Sequence, residues 1–318
     1  MIGVGEQVGD RFGKRVIAIV GPTAVGKTAV GIELVSLIGG EIVSADSMAV
    51  YKGMDVGTAK PTREERGRAV FHLIDIADPA RGFSVGEFQQ LAHKGIDGIL
   101  ELNPPAIVVG GSGLYVRAAV DGLGASVPPV DPAIRRNLVD EARRLGKERV
   151  HARLASVDPK SAMLIHPNNL KRVIRALEIW EITGVPASDL FEADAVRPSR
   201  YEGARFFGLT MERKALYARI EERVDSMVEA GLLEEVRSLL DRGVDAALPS
   251  MQGLGYKEIA EHLQGRCGLE DAVALLKKNT RRFAKRQYTW FRADRRVMWI
   301  DTDHRTAREV SQIIKELM

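Results

Sequence analysis

The sequence predicts an α/β fold, a parallel sheet flanked by helices and interrupted by an inserted all-helical domain. Three observations predict it. Short β-branched runs alternate with helical patterns, as parallel strands joined by crossovers do. The first run, VIAIV at 16–20, leads directly into GPTAVGKT at 21–28, the strand, loop and helix context of a phosphate-cradling P-loop. Finally, 80 positions separate Gly124 from Ala204, too many for one crossover, and the Pro-rich GLGASVPPVDP marks where they begin.

In chain order the strands are expected at VIAIV (16–20), EIVSAD (41–46), AIVVGG (106–111), ARFFGLT (204–210) and RVMWID (296–301). A helix from Lys27 to about Leu37 completes the P-loop unit, so the core is expected to be P-loop NTPase-like, built from residues 1–124 and 204–318. Residues 125–203 are expected to form the inserted domain, because Ile134 to Thr183 reads as short helices with no strand pattern. After the fourth strand, MERKALYARIEERVDSMVEAGLLEEVRSLLDRG is a long amphipathic helical region broken near Gly231.

Composition bounds the chemistry. The 318 residues leave room for roughly two domains, and 45% apolar with 28% charged residues describes a well-cored globular chain. The N-terminal MIGVGEQVGDRFGKR has no apolar leader region, and no stretch approaches the roughly 18 apolar residues of a membrane span. A cytoplasmic protein without membrane contact is the expectation. One cysteine, Cys267, excludes an internal disulfide, and six scattered histidines leave no structural zinc site, so any metal must arrive with the ligand. Within GRCGLED, Cys267 reads as an ordinary loop thiol.

The net charge of +3 hides an island. From Lys277 to Arg296, nine Lys/Arg and one Asp give +8, which leaves −5 for the rest of the chain. Positives at 277, 278, 281, 282, 285 and 286 recur at helical spacing and make one stripe, with Tyr288, Trp290 and Phe291 interleaved. Such a stripe suits a phosphate backbone and exposed bases.

The P-loop lacks one part of a nucleotide hydrolase or kinase, the Asp that holds Mg²⁺ from the end of a neighbouring strand. AIVVGGSGLY ends in Gly-Gly-Ser, and neither Asp75 in FHLID nor Asp301 in RVMWID falls in a strand expected beside the loop. The chain offers instead Asp46, at the end of EIVSAD. Strand C-terminal ends face the ligand crevice of a parallel sheet, so Asp46, the P-loop and Ser112 should converge. A carboxylate there suits a general base, a Mg²⁺ ligand or a helix cap. Arg219 and Arg223, four residues apart, share a helix face, and spacing alone favours a surface pair bonded to neighbouring glutamates.

The ordered set GPTAVGKT, SADSMAVYKGMDVGTAKP (44–61), FHLIDI (71–76), VGGSGLYVRA (109–118), HPNNLKRVIRALE (166–178), QGLGYKE (252–258) and RRFAKRQYTWFR (281–292) resembles the bacterial tRNA dimethylallyltransferase (tRNA isopentenyltransferase) family. The P-loop carries little of that resemblance, whereas DS-x₃-Y-x-GMD-x-GTAKP is highly specific. The resemblance implies transfer of a dimethylallyl group from dimethylallyl diphosphate to the exocyclic N6 amine of the adenine 3′ of the anticodon. The P-loop residues Gly21, Pro22, Thr23, Ala24, Val25, Gly26, Lys27 and Thr28 would hold the diphosphate, joined by Arg219 and Arg223. Asp46 would be the base, Ser112 would stand where the family usually has Thr against the departing bridging oxygen, and Thr28 would coordinate Mg²⁺.

By the same resemblance the anticodon stem-loop would be held by Asp46, Ser47, Met48 and Ala49, by Arg135, Lys171, Arg172 and Arg175, by Gln252, Gly255, Tyr256 and Lys257, and by Arg281, Arg282, Lys285, Arg286 and Gln287. Ala49 departs from the family's frequent Gln. The shorter bacterial form, without a C-terminal zinc finger, is expected, and the mechanism requires only a monomer. Two other readings compete: a small-molecule kinase using ATP, motivated by the P-loop alone, and a noncatalytic RNA-binding protein with a remnant P-loop.

Overall fold

A computed structural model describes residues 15–124, 126–196 and 198–318; the N-terminal stretch read above for a leader, at 1–14, lies outside them. The described residues separate into two compact units, one within 15–121 and 200–318 and the other within 122–199.

The first unit is built on a six-stranded sheet of β1 Val16–Val20, β2 Glu41–Ser44, β3 Phe71–His72, β4 Ala106–Gly110, β5 Arg205–Thr210 and β6 Val297–Asp301. Strand order is β3-β2-β4-β1-β5-β6 and every pairing is parallel. Five strands coincide with the β-branched runs of the sequence. The sixth, β3, escaped the sequence reading because two residues carry no periodicity; Phe71 joins the sheet opposite Ile42. Asp75 follows β3 and Asp301 ends β6, so both lie at opposite edges of the sheet and neither adjoins β1.

VIAIV is apolar throughout because both faces of its sheet are covered. Successive side chains point to opposite faces, and the core accordingly divides in two. Ile17, Ile19, Ile107, Phe207 and Ile300 pack with α1 Lys27–Ile38, α10 Arg213–Glu229 and α14 Ala307–Leu317. Ala18, Val43, Val108, Phe206 and Val297 pack with α3 Val85–Glu101, α4 Gly113–Asp121, α11 Leu232–Asp241 and α12 Tyr256–Leu263. Each fully buried aliphatic here contributes roughly 1.5–3 kcal/mol through lost water contact. The short α2 Arg63–Arg68 and the long α13 Leu269–Arg292 complete the unit.

The second unit contains α5 Pro132–Leu145, α6 Lys147–Val157, α7 Pro159–Leu164, α8 Leu170–Thr183 and α9 Ala187–Val196, with no strand among the described residues. Asp131 starts α5 by accepting hydrogen bonds from the amides of Ala133 and Ile134, with Pro132 in the first turn. Leu138, Val150, Leu154, Val173 and Leu177 form its core. Among the described residues no helix is long and apolar enough to cross a membrane.

Candidate functional site

The P-loop turns directly off the carboxyl end of β1. Gly21 has φ +142°, and a Cβ there would lie 2.7 Å from the Leu209 carbonyl, so backbone from β5 leaves no room for a side chain. Ala24 and Gly26 have φ +65° and +96°, which turns successive amides inward as an anion nest. Helix α1 begins at Lys27 with no side-chain cap and no acid in its first turn, so its free N–H groups face the loop.

Lys27 Nζ donates to the Pro22 carbonyl at 2.6 Å. Burial and then the neighbouring Arg223 guanidinium push its pKa from 10.5 down to about 7, while Asp46 pulls the other way. Burial likewise lowers Arg223, again against Asp46. Two desolvated cations thus face one carboxylate, an imbalance that an incoming anion relieves.

Asp46 is fixed by its own backbone: Oδ1 accepts from Met48 N at 2.8 Å and Ala49 N at 3.3 Å. Ser112, the residue after Gly111 beyond β4, accepts from Ser47 N at 3.2 Å and shares a hydroxyl hydrogen bond with Ser47 at 3.1 Å. Ser47 therefore links the candidate base to the candidate leaving-group donor. The two arginines of α10 part company. Arg223 sits beside Lys27 and Asp46, whereas Arg219 is exposed, and neither pairs with a glutamate among the described residues, unlike the surface pair that spacing alone favours.

A second layer that the sequence did not reveal holds the GMDVGTAKP loop. Glu235 of α11 accepts from the amides of Asp55, Val56 and Gly57 at 2.7, 2.9 and 3.1 Å, and from the Tyr256 hydroxyl at 2.6 Å. A Cβ on Gly57 would lie 2.7 Å from the Tyr256 ring, so only glycine lets the loop close on it. Lys60, its side chain 2% exposed, donates to the Tyr51 carbonyl at 2.5 Å, to Asp55 at 2.7 Å and to Asp75 at 2.5 Å. Asp75, a rejected metal ligand in the sequence reading, is thereby a structural counter-ion held below the usual carboxylate range by Lys60 and Arg66. Glu235→Ala is expected to cost about 2–4 kcal/mol, since it strands several donors. Urea unfolding measures it, and a loss below about 0.5 kcal/mol, the level of an ordinary surface change, would show that the clamp holds nothing.

The residues expected to meet RNA divide by exposure. Arg282, Lys285 and Arg286 are exposed on α13, and Lys171 and Arg172 on α8. Arg281 is half-buried on Glu221 at 2.5 Å. Arg135 and Arg175 both spend a guanidinium N–H on Glu178, each at 2.7 Å. Gln252 and Lys257 are exposed and line a cleft of about 370 Å³ with Glu261, Gln264 and Arg266.

Four members of the expected RNA surface face inward instead. Ala49 is buried under its turn, Gly255 has φ +90° at the start of α12, and Tyr256 is fully buried on Glu235. Gln287 is 6% exposed and spends its amide on the P-loop and on Gly111. The aromatics of the basic segment are also mostly internal. Phe291 is buried and the Tyr288 hydroxyl lies 3.2 Å from Thr210 Oγ1, so of the three only Trp290 is exposed.

No group of three or more His, Cys, Asp or Glu gathers as a metal site among the described residues. Thr28, second in α1, offers a hydroxyl where the cradle passes into the helix. One hydroxyl suits a hard divalent ion that takes most of its oxygens from a bound diphosphate.

This geometry has known counterparts. The family model described as IPP transferase matches residues 49–294, and one described as isopentenyl transferase matches residues 14–73. The tRNA dimethylallyltransferase of Geobacter metallireducens is 48% identical over 287 residues, covering 90% of this chain and 92% of that protein. The enzyme of the same name from Symbiobacterium thermophilum is 48% identical over 94% of this chain and 95% of its own length. Among solved structures, the full-length tRNA isopentenylpyrophosphate transferase of Bacillus halodurans is 44% identical with a TM-score of 0.70, over 96% of this chain and 95% of that one. A eukaryotic dimethylallyltransferase described as acting on tRNA has a TM-score of 0.79 at 26% identity, covering 95% of this chain and 79% of its own.

Proposed function

Because the chain belongs to the IPP transferase family, we propose that it is a prenyltransferase whose P-loop holds dimethylallyl diphosphate and whose acceptor is the N6 amine of the tRNA adenine 3′ of the anticodon. Prenyl transfer to tRNA is the activity that its relatives share. One observation carries the finer reading: Lys27 and Arg223 stand together, half-buried, beside a phosphate cradle, with Asp46 as their neighbouring carboxylate and Gly111-Ser112 in place of an acid after β4. Charge of that sign and place suits a departing diphosphate. A kinase would have the metal-holding acid at the end of β4, where the chain has Gly110, Gly111 and Ser112.

The step balances simply. The adenine N6 lone pair forms a bond to C1 of the dimethylallyl group as the C1–O bond breaks, and pyrophosphate leaves with the electron pair. The N6 proton passes to Asp46, whose Oδ1 anchorage to two amides fixes the carboxylate. Lys27, Arg223 and the inward amides stabilise charge that grows on the leaving oxygens. Mg²⁺, when bound through Thr28 and the diphosphate, neutralises part of that charge. Ser112 Oγ stands next to Ser47 and can donate to the bridging oxygen. All of these groups come from one chain, and the reading extends to a monomer in the cytoplasm, where tRNA is processed.

The basic face of α13, with Arg282, Lys285 and Arg286 exposed, supplies phosphate contacts to the anticodon stem-loop, as do Lys171 and Arg172 within their own unit. The adenine must leave its stack to reach a half-buried base. Ser112→Ala is expected to lower kcat by about 10², the order of losing one oxyanion donor; a wild-type single-turnover rate would remove Ser112 from the leaving-group role. The test of the whole reading is a digest of unmodified tRNA incubated with enzyme, Mg²⁺ and dimethylallyl diphosphate, beside an ATP-only control. The expected product is an adenosine heavier by one dimethylallyl group with the prenyl donor only, and ATP consumption without that product would return the loop to a nucleotide.

A further inference from the structure

Helix α13 does more than present positive charge. On its inner side, Gln287 Oε1 accepts from the P-loop amide of Thr23 at 2.8 Å, and Nε2 donates to the Gly111 carbonyl at 2.8 Å, in the turn that leads to Ser112. The fit is close: a Cβ on Gly111 would lie 2.3 Å from Gln287 Nε2 and 3.3 Å from Lys27 Nζ. One turn along, Trp290 lies on Gly113, where a Cβ would come within 2.1 Å of its ring. Between them, the Tyr288 hydroxyl reaches Thr210 Oγ1 at 3.2 Å and Met211 N at 3.3 Å. Residues 287, 288 and 290 thus touch the segments that follow β1, β5 and β4.

We propose that Gln287 is a positioning residue for the donor site. Its planar amide holds an acceptor oxygen and a donor NH₂ group in fixed relation, which ties the P-loop to the Ser112 turn and sets the spacing between Lys27 and Ser112. Taking up the Thr23 amide also reserves the remaining loop amides for the donor. The role rests on the reading of the P-loop as the diphosphate site, and it differs from an RNA contact because the Gln287 side chain is 6% exposed and its amide is directed at two loops of the same chain.

The test uses full-length Gln287→Leu and Gln287→Glu beside Lys27→Met, with inorganic pyrophosphate affinity measured by calorimetry, RNA affinity for an anticodon stem-loop, and single-turnover rates. Gln287→Leu is expected to weaken pyrophosphate about tenfold, the size of one or two lost hydrogen bonds, and to lower the rate while RNA affinity is unchanged. Gln287→Glu keeps the acceptor for Thr23 but donates to Gly111 only when protonated. At saturating donor and below pH 7, where Lys27 is already protonated, its rate should therefore rise as pH falls, a limb that wild type and the Leu variant lack. Should Gln287→Leu fail to fold, that pH profile still decides the matter. Wild-type pyrophosphate affinity and no acid limb, with Lys27→Met defective, would overturn the positioning role alone. Pyrophosphate binding that ignores Lys27→Met would sink the diphosphate reading and this role together, and a loss confined to RNA affinity would make Gln287 a tRNA contact.

Discussion

Asp46→Asn is expected to abolish most turnover, lowering kcat by about 10²–10⁴, the range for loss of a general base, without loosening the site. Asn retains an Oδ1 that accepts from Met48 N and Ala49 N, so the turn that orients the side chain survives. What disappears is the capacity to take a proton and the negative charge facing Lys27 and Arg223. The kinetic signature is therefore split: kcat falls, while the Kd for dimethylallyl diphosphate stays level or tightens, because the two cations lose a competing carboxylate. Single-turnover assays with separately measured donor and RNA affinities check this. Equal losses in rate and RNA affinity would make Asp46 a binding residue, and an unchanged rate would remove it from the reaction.

Lys27 carries the second large effect, and its pH dependence has a definite sign. In the free enzyme burial and Arg223 hold its pKa at about 7. A bound diphosphate stabilises the ammonium form, so the pKa rises on binding and the complex takes up a proton. Donor Kd is accordingly flat below pH 7 and climbs about tenfold per pH unit above it, until the raised pKa of the complex is reached. Lys27→Met should lose about 10²–10³ in kcat/KM, on the scale of a deleted oxyanion donor, and its donor affinity should lose the pH dependence. A wild-type profile in Lys27→Met would assign the titration to another group.

The parts of this protein that the sequence disclosed are those with a repeating or rigidly spaced signal. VIAIV and AIVVGG are strands because buried parallel strands admit only apolar residues, and G-x-x-x-x-G-K-T is legible because a phosphate nest fixes where glycine and lysine stand. Asp46 was accessible through topology, as a residue leaving a strand at the ligand edge. β3 was not, since Phe71 and His72 are too few to show a period.

Long-range polar roles were harder to see. Glu235 looks like one more charge on an amphipathic helix, yet it accepts four hydrogen bonds across 21 to 180 positions of sequence. Gln287 lies in a segment dominated by arginine and lysine, and the resemblance alone set it against RNA. A signal was nevertheless present. Leu276, Thr280, Ala284, Gln287 and Phe291 recur at intervals of three and four and are all buried, so the amide keeps step with the inner face of α13 rather than with its charges. Arg219 and Arg223 teach the converse, because two side chains four residues apart on one helix ended in different surroundings.

The most direct measurement is a crystal structure of the enzyme with tRNA, Mg²⁺ and the unreactive thiolo analogue of dimethylallyl diphosphate. The diphosphate is expected in the P-loop, in hydrogen-bond reach of Lys27 Nζ and Arg223, with C1 facing an everted adenine whose N6 meets Asp46. A diphosphate bound elsewhere, or an adenine whose N6 lies against a group other than Asp46, would contradict the account.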